Sequence, residues 1–219
     1  MCDGSAMDIY RMESIGVLRM NRLKRYMRMS FYAKYNNAKI HYYRFKGRVF
    51  YCHIFKNIGN NSIVMRPIML SNCEPVWIGN NVSIRDGARI EIVCDNALRV
   101  PELRIGDNVM IEQNVQIVCH SRVIIGSDVA IAGHCAIVDV THPYRHISTG
   151  NVGALIVDED SYVEIGDGSF IGYGAVILPN VRIGKRAVIG ANSVVTHDVP
   201  DFSVVAGSPA KIIRTYSQE

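Results

Sequence analysis

A chain of 219 residues, 48% of them apolar, is long enough for one core-bearing domain plus an appendage, so a folded rather than a disordered chain is expected. Its formal net charge of +4 is uneven: residues 1–50 hold eleven Lys or Arg against Asp3, Asp8 and Glu13, and the remainder is net acidic. No apolar run approaches the roughly twenty residues of a membrane-spanning helix, and the opening MCDGSAMD lacks the basic start of a signal peptide, so a cytoplasmic protein is expected.

The first predicted element is a basic amino-terminal segment, residues 1–57. Residues 10–35 hold no proline and predict a helix with Ile15, Leu18, Leu23, Met27 and Phe31 on one face and Arg19, Arg22, Arg25 and Arg28 on the other. Such a helix either packs as a cap on the rest of the fold or lies on a membrane surface. The charge suits an anionic partner, a lipid-linked glycan at the inner membrane face among them, and no nucleic-acid module is recognisable. The cysteines, Cys2, Cys52, Cys73, Cys94, Cys119 and Cys135, are scattered without a CxxC pair and predict small buried side chains of a reducing compartment.

From Ile58 the chain repeats. Aliphatic residues recur six apart in Ile78, Ile84, Ile90; in Ile105, Ile111, Ile117, Val123; in Ile125, Ile131, Ile137; and in Ile165, Ile171, Ile177, Ile183, Ile189, Val195. A second apolar or small residue follows four places later, as at Val82, Val109, Cys135, Ala175 and Ser193. A period of six fits neither a helix nor an unbroken strand, so a corner must reset a short strand at every hexad. The glycine after many of the aliphatic residues, as in Ile105-Gly106 and Ile183-Gly184, with Asn, Asp, Ser or Lys behind it, supplies that corner. Three sides close a triangular coil of eighteen residues, and stacked coils make an all-β parallel β-helix over residues 58–198. The repeat loses phase at about Asp95–Arg104 and Asp139–Tyr162, where loops must leave the stack, and residues 199–219 form a carboxy-terminal cap.

Together the hexads, Thr141-His142-Pro143, the run IGDGSFIGYGAVILPNVRIG and the closing DVPDFSVVAGSPAKIIR resemble the hexapeptide-repeat acyltransferases of the galactoside, maltose and polysaccharide O-acetyltransferase kind. The resemblance covers about Ile58 to Arg214. It implies a left-handed coil, a homotrimer with sites between neighbouring subunits, acetyl-CoA as acyl donor, a carbohydrate acceptor and no metal. His142, in the protruding loop 139–162, matches the family's general base, which takes the proton of an acceptor hydroxyl as that oxygen attacks the thioester. The place of the acceptor-binding asparagine of galactoside acetyltransferases falls here on Glu112, with Asn114 two residues on, which argues against galactoside as the acceptor. Asp139 is expected to orient the imidazole or bind acceptor hydroxyls, and His146 to line the acceptor site. Tyr173, Gly174, Ala191 and Thr196 match positions that hold the pantetheine arm, and Lys211 and Arg214 suit the nucleotide phosphates.

Two other readings share the scaffold. An antibiotic or an amino sugar serves equally as acceptor, and carbonic anhydrases of the same coil bind zinc through three histidines, a set that His134, His142 and His146 match only loosely. His134 otherwise reads as a coil side chain, and His120 as a residue of the coil before the second phase break.

Overall fold

The structure, a computed structural model, describes residues 26–94, 100–143, 151–157 and 159–217. The chain divides into two compact units, residues 1–42 and 43–219. Residues 10–25 lie outside the described residues; a helix, α1, spans Phe31–Val49 and overlaps the end of the predicted 10–35. Its start is capped by the Ser30 hydroxyl, which accepts from Ala33 N at 3.2 Å. Lys46 and Arg48 sit in its last turn, against the negative end of the helix dipole. Met27 and Phe31 are 70% and 86% exposed, so the predicted packed face is not formed there; Ile15, Leu18 and Leu23 lie outside the described residues.

From Asn57 onward the second unit is a prism of three sheets whose coil-to-coil neighbours are parallel. The first face runs through strands Val76–Ile78, Glu102–Ile105, Arg122–Ile125, Tyr162–Ile165 and Val181–Ile183. The second holds Ser83–Ile84, Met110–Ile111, Ala130–Ile131, Phe170–Ile171 and Val188–Ile189; the third holds Arg89–Ile92, Gln116–Cys119, Ala136–Val138, Val176–Ile177 and Val194–Val195. Each coil visits the faces in that order. The hexad aliphatics point inward and are buried throughout, and so are most of the residues four places after them, Val82, Val109, Cys135, Ala175 and Ser193 among them. Two inward residues per side fill a narrow core made almost entirely of Ile, Val, Leu and Ala, which is why the six-residue period is so regular.

The coil length departs from eighteen. Ile105 lies opposite Ile125, twenty residues on, whereas Ile165 lies opposite Ile183, eighteen on. The two extra residues, His120 and Ser121, widen the corner between the third and first faces after the four-residue strand Gln116–Cys119. Both larger excursions leave the stack at this same corner. One separates Ile92 from Glu102, and the other separates Val138 from Tyr162.

The other two corners are tight and build columns along the prism. At the first-to-second corner, Asn80 Oδ1 accepts from Asn60 N at 2.9 Å, Asp107 Oδ1 from Asn80 N at 2.7 Å, and Asp167 Oδ1 from Ser127 N at 2.9 Å. Each corner side chain thus serves an amide of the preceding coil. Gly106 is required by this stacking, because a Cβ there would stand 2.7 Å from the backbone carbon of Gly126. The prism is closed at its start by buried Tyr51 and Phe55, and at its end strand Lys211–Thr215 pairs antiparallel with Ser203–Ala206.

Candidate active site

The loop that carries His142 leaves from the wide corner between the third and first faces, and its root is tied to the coil beneath it. Asp139 is fully buried, and its carboxylate accepts from the backbone N–H groups of His120, Ser121 at 2.8 Å and Arg122 at 2.7 Å. Burial pushes the Asp139 carboxyl above its ordinary range, while the three N–H donors act in the opposite direction. The returning limb is joined to the outgoing one by Ser161 Oγ, which donates to Asp139 O, and by Val157 N, which donates to Thr141 O at 2.9 Å.

His142 is exposed, and its Nδ1 lies 2.7 Å from Leu155 O. A carbonyl can only accept, so Nδ1 carries a proton, and in the neutral ring it is Nε2 that holds the lone pair. Leu155 is delivered by the short 3₁₀ turn Val152–Ala154, whose start is capped by Asn151 Oδ1 accepting from Gly153 N at 3.0 Å. The expectation for Asp139 is corrected: its carboxylate is taken up by the amides of the previous coil rather than by the imidazole or an open acceptor site. His146 lies outside the described residues.

A second group of the expected residues stands at the other edge of the third face. Glu112 pairs with Arg85 at 2.9 Å. Asn114, in the left-handed region with φ 58°, has its Nδ2 3.2 Å from His134 Nε2. His134 is an exposed corner residue, and its ring lies 5.1 Å from that of Tyr173. Gly174, at φ +70°, occupies the same column, and Ala191 is exposed one coil further on. Thr196 falls on the edge of His142 instead and contacts His197 Nδ1 through Oγ1 at 2.8 Å. Lys211 and Arg214 are exposed on the closing strand.

Within one chain the two edges are separated by the width of the third face, about 15 Å for five residues of strand. His134 and His142 therefore do not converge on one metal within a chain, and among the described residues no group of three potential ligands is found. Sequence reasoning missed Leu155, Asn151 and Ser161, which act through a backbone carbonyl, a turn cap and a loop closure without a distinctive motif.

Residues 162–197 match the family of bacterial transferase hexapeptide repeats (six repeats). The chain is 33% identical over 165 residues to WbbJ of Escherichia coli (strain K12), a protein named for O-acetyl transfer in lipopolysaccharide biosynthesis, with 73% of this chain and 82% of that one covered. The chain belongs to the hexapeptide-repeat acyltransferase family. A yeast member, YJL218W of Saccharomyces cerevisiae, named as an acetyltransferase, is 38% identical over 115 residues, covering 52% of this chain and 57% of its own. Among solved structures, AntD, an N-acyltransferase from Bacillus cereus, superposes with a TM-score of 0.64 over 78% of this chain and 89% of its own at 19% identity, a likeness of fold. The prism is thus the left-handed β-helix of this family.

Proposed function

We propose that the chain transfers an acetyl group from acetyl-CoA to a carbohydrate hydroxyl in the biosynthesis of a polysaccharide, lipopolysaccharide or capsule. The observation that carries this reading is the imidazole of His142, held by Leu155 O with Nε2 as the free base, on a loop clamped to a rigid stack. Nε2 takes the proton of the acceptor hydroxyl while its oxygen bonds to the thioester carbonyl carbon. The tetrahedral intermediate then collapses, the carbon–sulfur bond breaks, and the imidazolium returns the proton to the leaving thiolate. The relationship to WbbJ favours a surface glycan as acceptor. AntD binds coenzyme A together with a nucleotide-linked amino sugar, which supports acyl-CoA as donor for this chain.

The same reading assigns the acyltransferase unit to residues 58–198 and the cap to 199–219. It makes the active unit a homotrimer, in which the His142 edge of one copy meets the Tyr173 edge of the next and joins residues that one chain keeps apart. The apolar exterior supports such packing: Met110 and Phe170 are 52% and 46% exposed on the second face, and Val118, Val138, Val176 and Leu178 line the third. Tyr173, Gly174, Ala191 and Thr196 then border the donor groove, with Lys211 and Arg214 toward its phosphates. Helix α1 carries Lys34, Lys39, Arg44, Lys46 and Arg48 with no acidic residue and exposes Phe31, Tyr35 and Tyr42, features suited to contact with an anionic inner membrane face. Among the described residues no helix is long and apolar enough to cross a membrane.

The test is acceptor-dependent release of free thiol from acetyl-CoA by the purified full chain, with hydroxyl and amine acceptors in parallel. Release with hydroxyl acceptors that His142→Ala abolishes is expected; release confined to amines would replace O- by N-acetylation.

A further inference from the structure

A cleft of about 720 Å³ opens on the edge that carries His142, two to three coils nearer the amino terminus. It forms where the third face turns into the first, between the corner at Asn72–Pro75 and the chain around Val100–Glu102. Its apolar wall is Pro75, Val100, Pro101 and the indole of Trp77, which is 39% exposed. The ring is held in place: the Arg104 guanidinium lies over it at 5.3 Å and is itself ion-paired with Glu102. The polar wall is Glu74, Glu102 and Lys56. Both signs of charge are present and one carboxylate is already neutralised by Arg104, so the cleft is not built for a phosphate or another polyanion.

An aromatic plane beside carboxylate acceptors and an ammonium donor suits a ligand with apolar ring faces and many hydroxyl groups. We infer that this cleft is a distal acceptor subsite, which binds a sugar unit of a glycan whose acetylated hydroxyl lies further along the chain at His142. The inference rests on the carbohydrate-transfer reading above and narrows it, because an acceptor that fills both places is an oligosaccharide or polymer rather than a single sugar. The two places share one edge and are two to three coils apart, about 10–15 Å at the strand spacing of about 4.8 Å, a span that several linked sugar units cover.

Trp77 is the only tryptophan of the chain, so its emission reports the cleft directly and without turnover. The probes are methyl glycosides and the di- to hexasaccharides of the glucose, galactose, rhamnose and N-acetylglucosamine series. Titrated into the full-length His142→Ala variant, the longer members of the accepted series are expected to change the emission at concentrations where the methyl glycoside does not. In thiol-release kinetics Trp77→Ala and Glu74→Gln are expected to raise KM about tenfold for the longer acceptors, with kcat and the KM for acetyl-CoA unchanged. Glu74→Gln, an exposed conservative change, serves if Trp77→Ala does not fold. Acetylation whose KM ignores acceptor length and both substitutions, with an unresponsive Trp77, would overturn the subsite and leave the transferase reading intact. Failure of thiol release with every acceptor would remove the transferase reading and the acceptor subsite with it.

Discussion

Replacing His142 by alanine removes the proposed base while leaving the loop's other ties, Val157 to Thr141 and Ser161 to Asp139, in place. Turnover is expected to fall by about 10²–10⁴-fold, the usual contribution of a positioned base, with the thermal midpoint unchanged. Asp139→Ala acts differently. It strips the acceptor from three amides, that of buried His120 and the part-buried ones of Ser121 and Arg122, and a buried amide left unsatisfied costs about 1–3 kcal/mol, so a drop in the thermal unfolding midpoint accompanies any loss of activity. The loop position of His142 was legible in the sequence because the Thr-His-Pro motif stands in a break of the repeat. The role of Asp139 was not, since its partners belong to the previous coil and chain distance from His142 suggested the wrong neighbour. The cysteines give a pH test. Burial, with Glu74 adding to it, pushes the Cys73 thiol up to about 12, and burial, with Asp139, raises Cys119 as well. The unfolded chain releases these protons near the ordinary thiol range and the folded chain holds them, so their contribution is intact below about pH 8.5 and is lost as pH rises above it. The denaturant midpoint is expected to fall between pH 8 and pH 10, and to fall less in Cys73→Ala.

The strands of the coils are only two to four residues long, and what specifies them is the corner between them. The hexad pattern made the inward residues readable one by one, because a six-residue side in a core this narrow admits the same two buried positions on every strand. It did not disclose the wide corner at His120 and Ser121, since two polar residues after a strand look like any turn. The tight corners are the more sensitive places. Gly106→Ala drives a Cβ into the backbone of the next coil and is expected to destabilise by about 1–3 kcal/mol, as overpacking does. Gly174→Ala places a side chain at φ +70° and against Asn192, at a further strain of about 1–2 kcal/mol. Differential scanning calorimetry of both variants beside an alanine replacement at exposed Val100 separates these effects from nonspecific ones. The extent of helix α1 to Val49 was not legible in the sequence, because residues 31–49 hold no proline or other boundary signal that separates them from the stretch before.

At the scale of the whole molecule, a prism with exposed Met110 and Phe170 on one face and valines on the next is suited to self-association. Light scattering on a sizing column is expected to give three times the chain mass of 24.4 kDa, and Phe170→Glu to shift that mass downward together with loss of thiol release. A monomer that retains full activity would contradict both the trimer and the assignment of the two edges to neighbouring copies. The parallel coils also impose a metric. Positions in the stack along one edge change only in steps of one coil, so the separation between the Trp77 cleft and the root of the His142 loop is set by the number of coils between them. A β-helix of this kind works as a graduated ruler: adding or deleting one coil between the two marks would lengthen or shorten the measured glycan by a fixed increment while leaving both ends chemically unchanged.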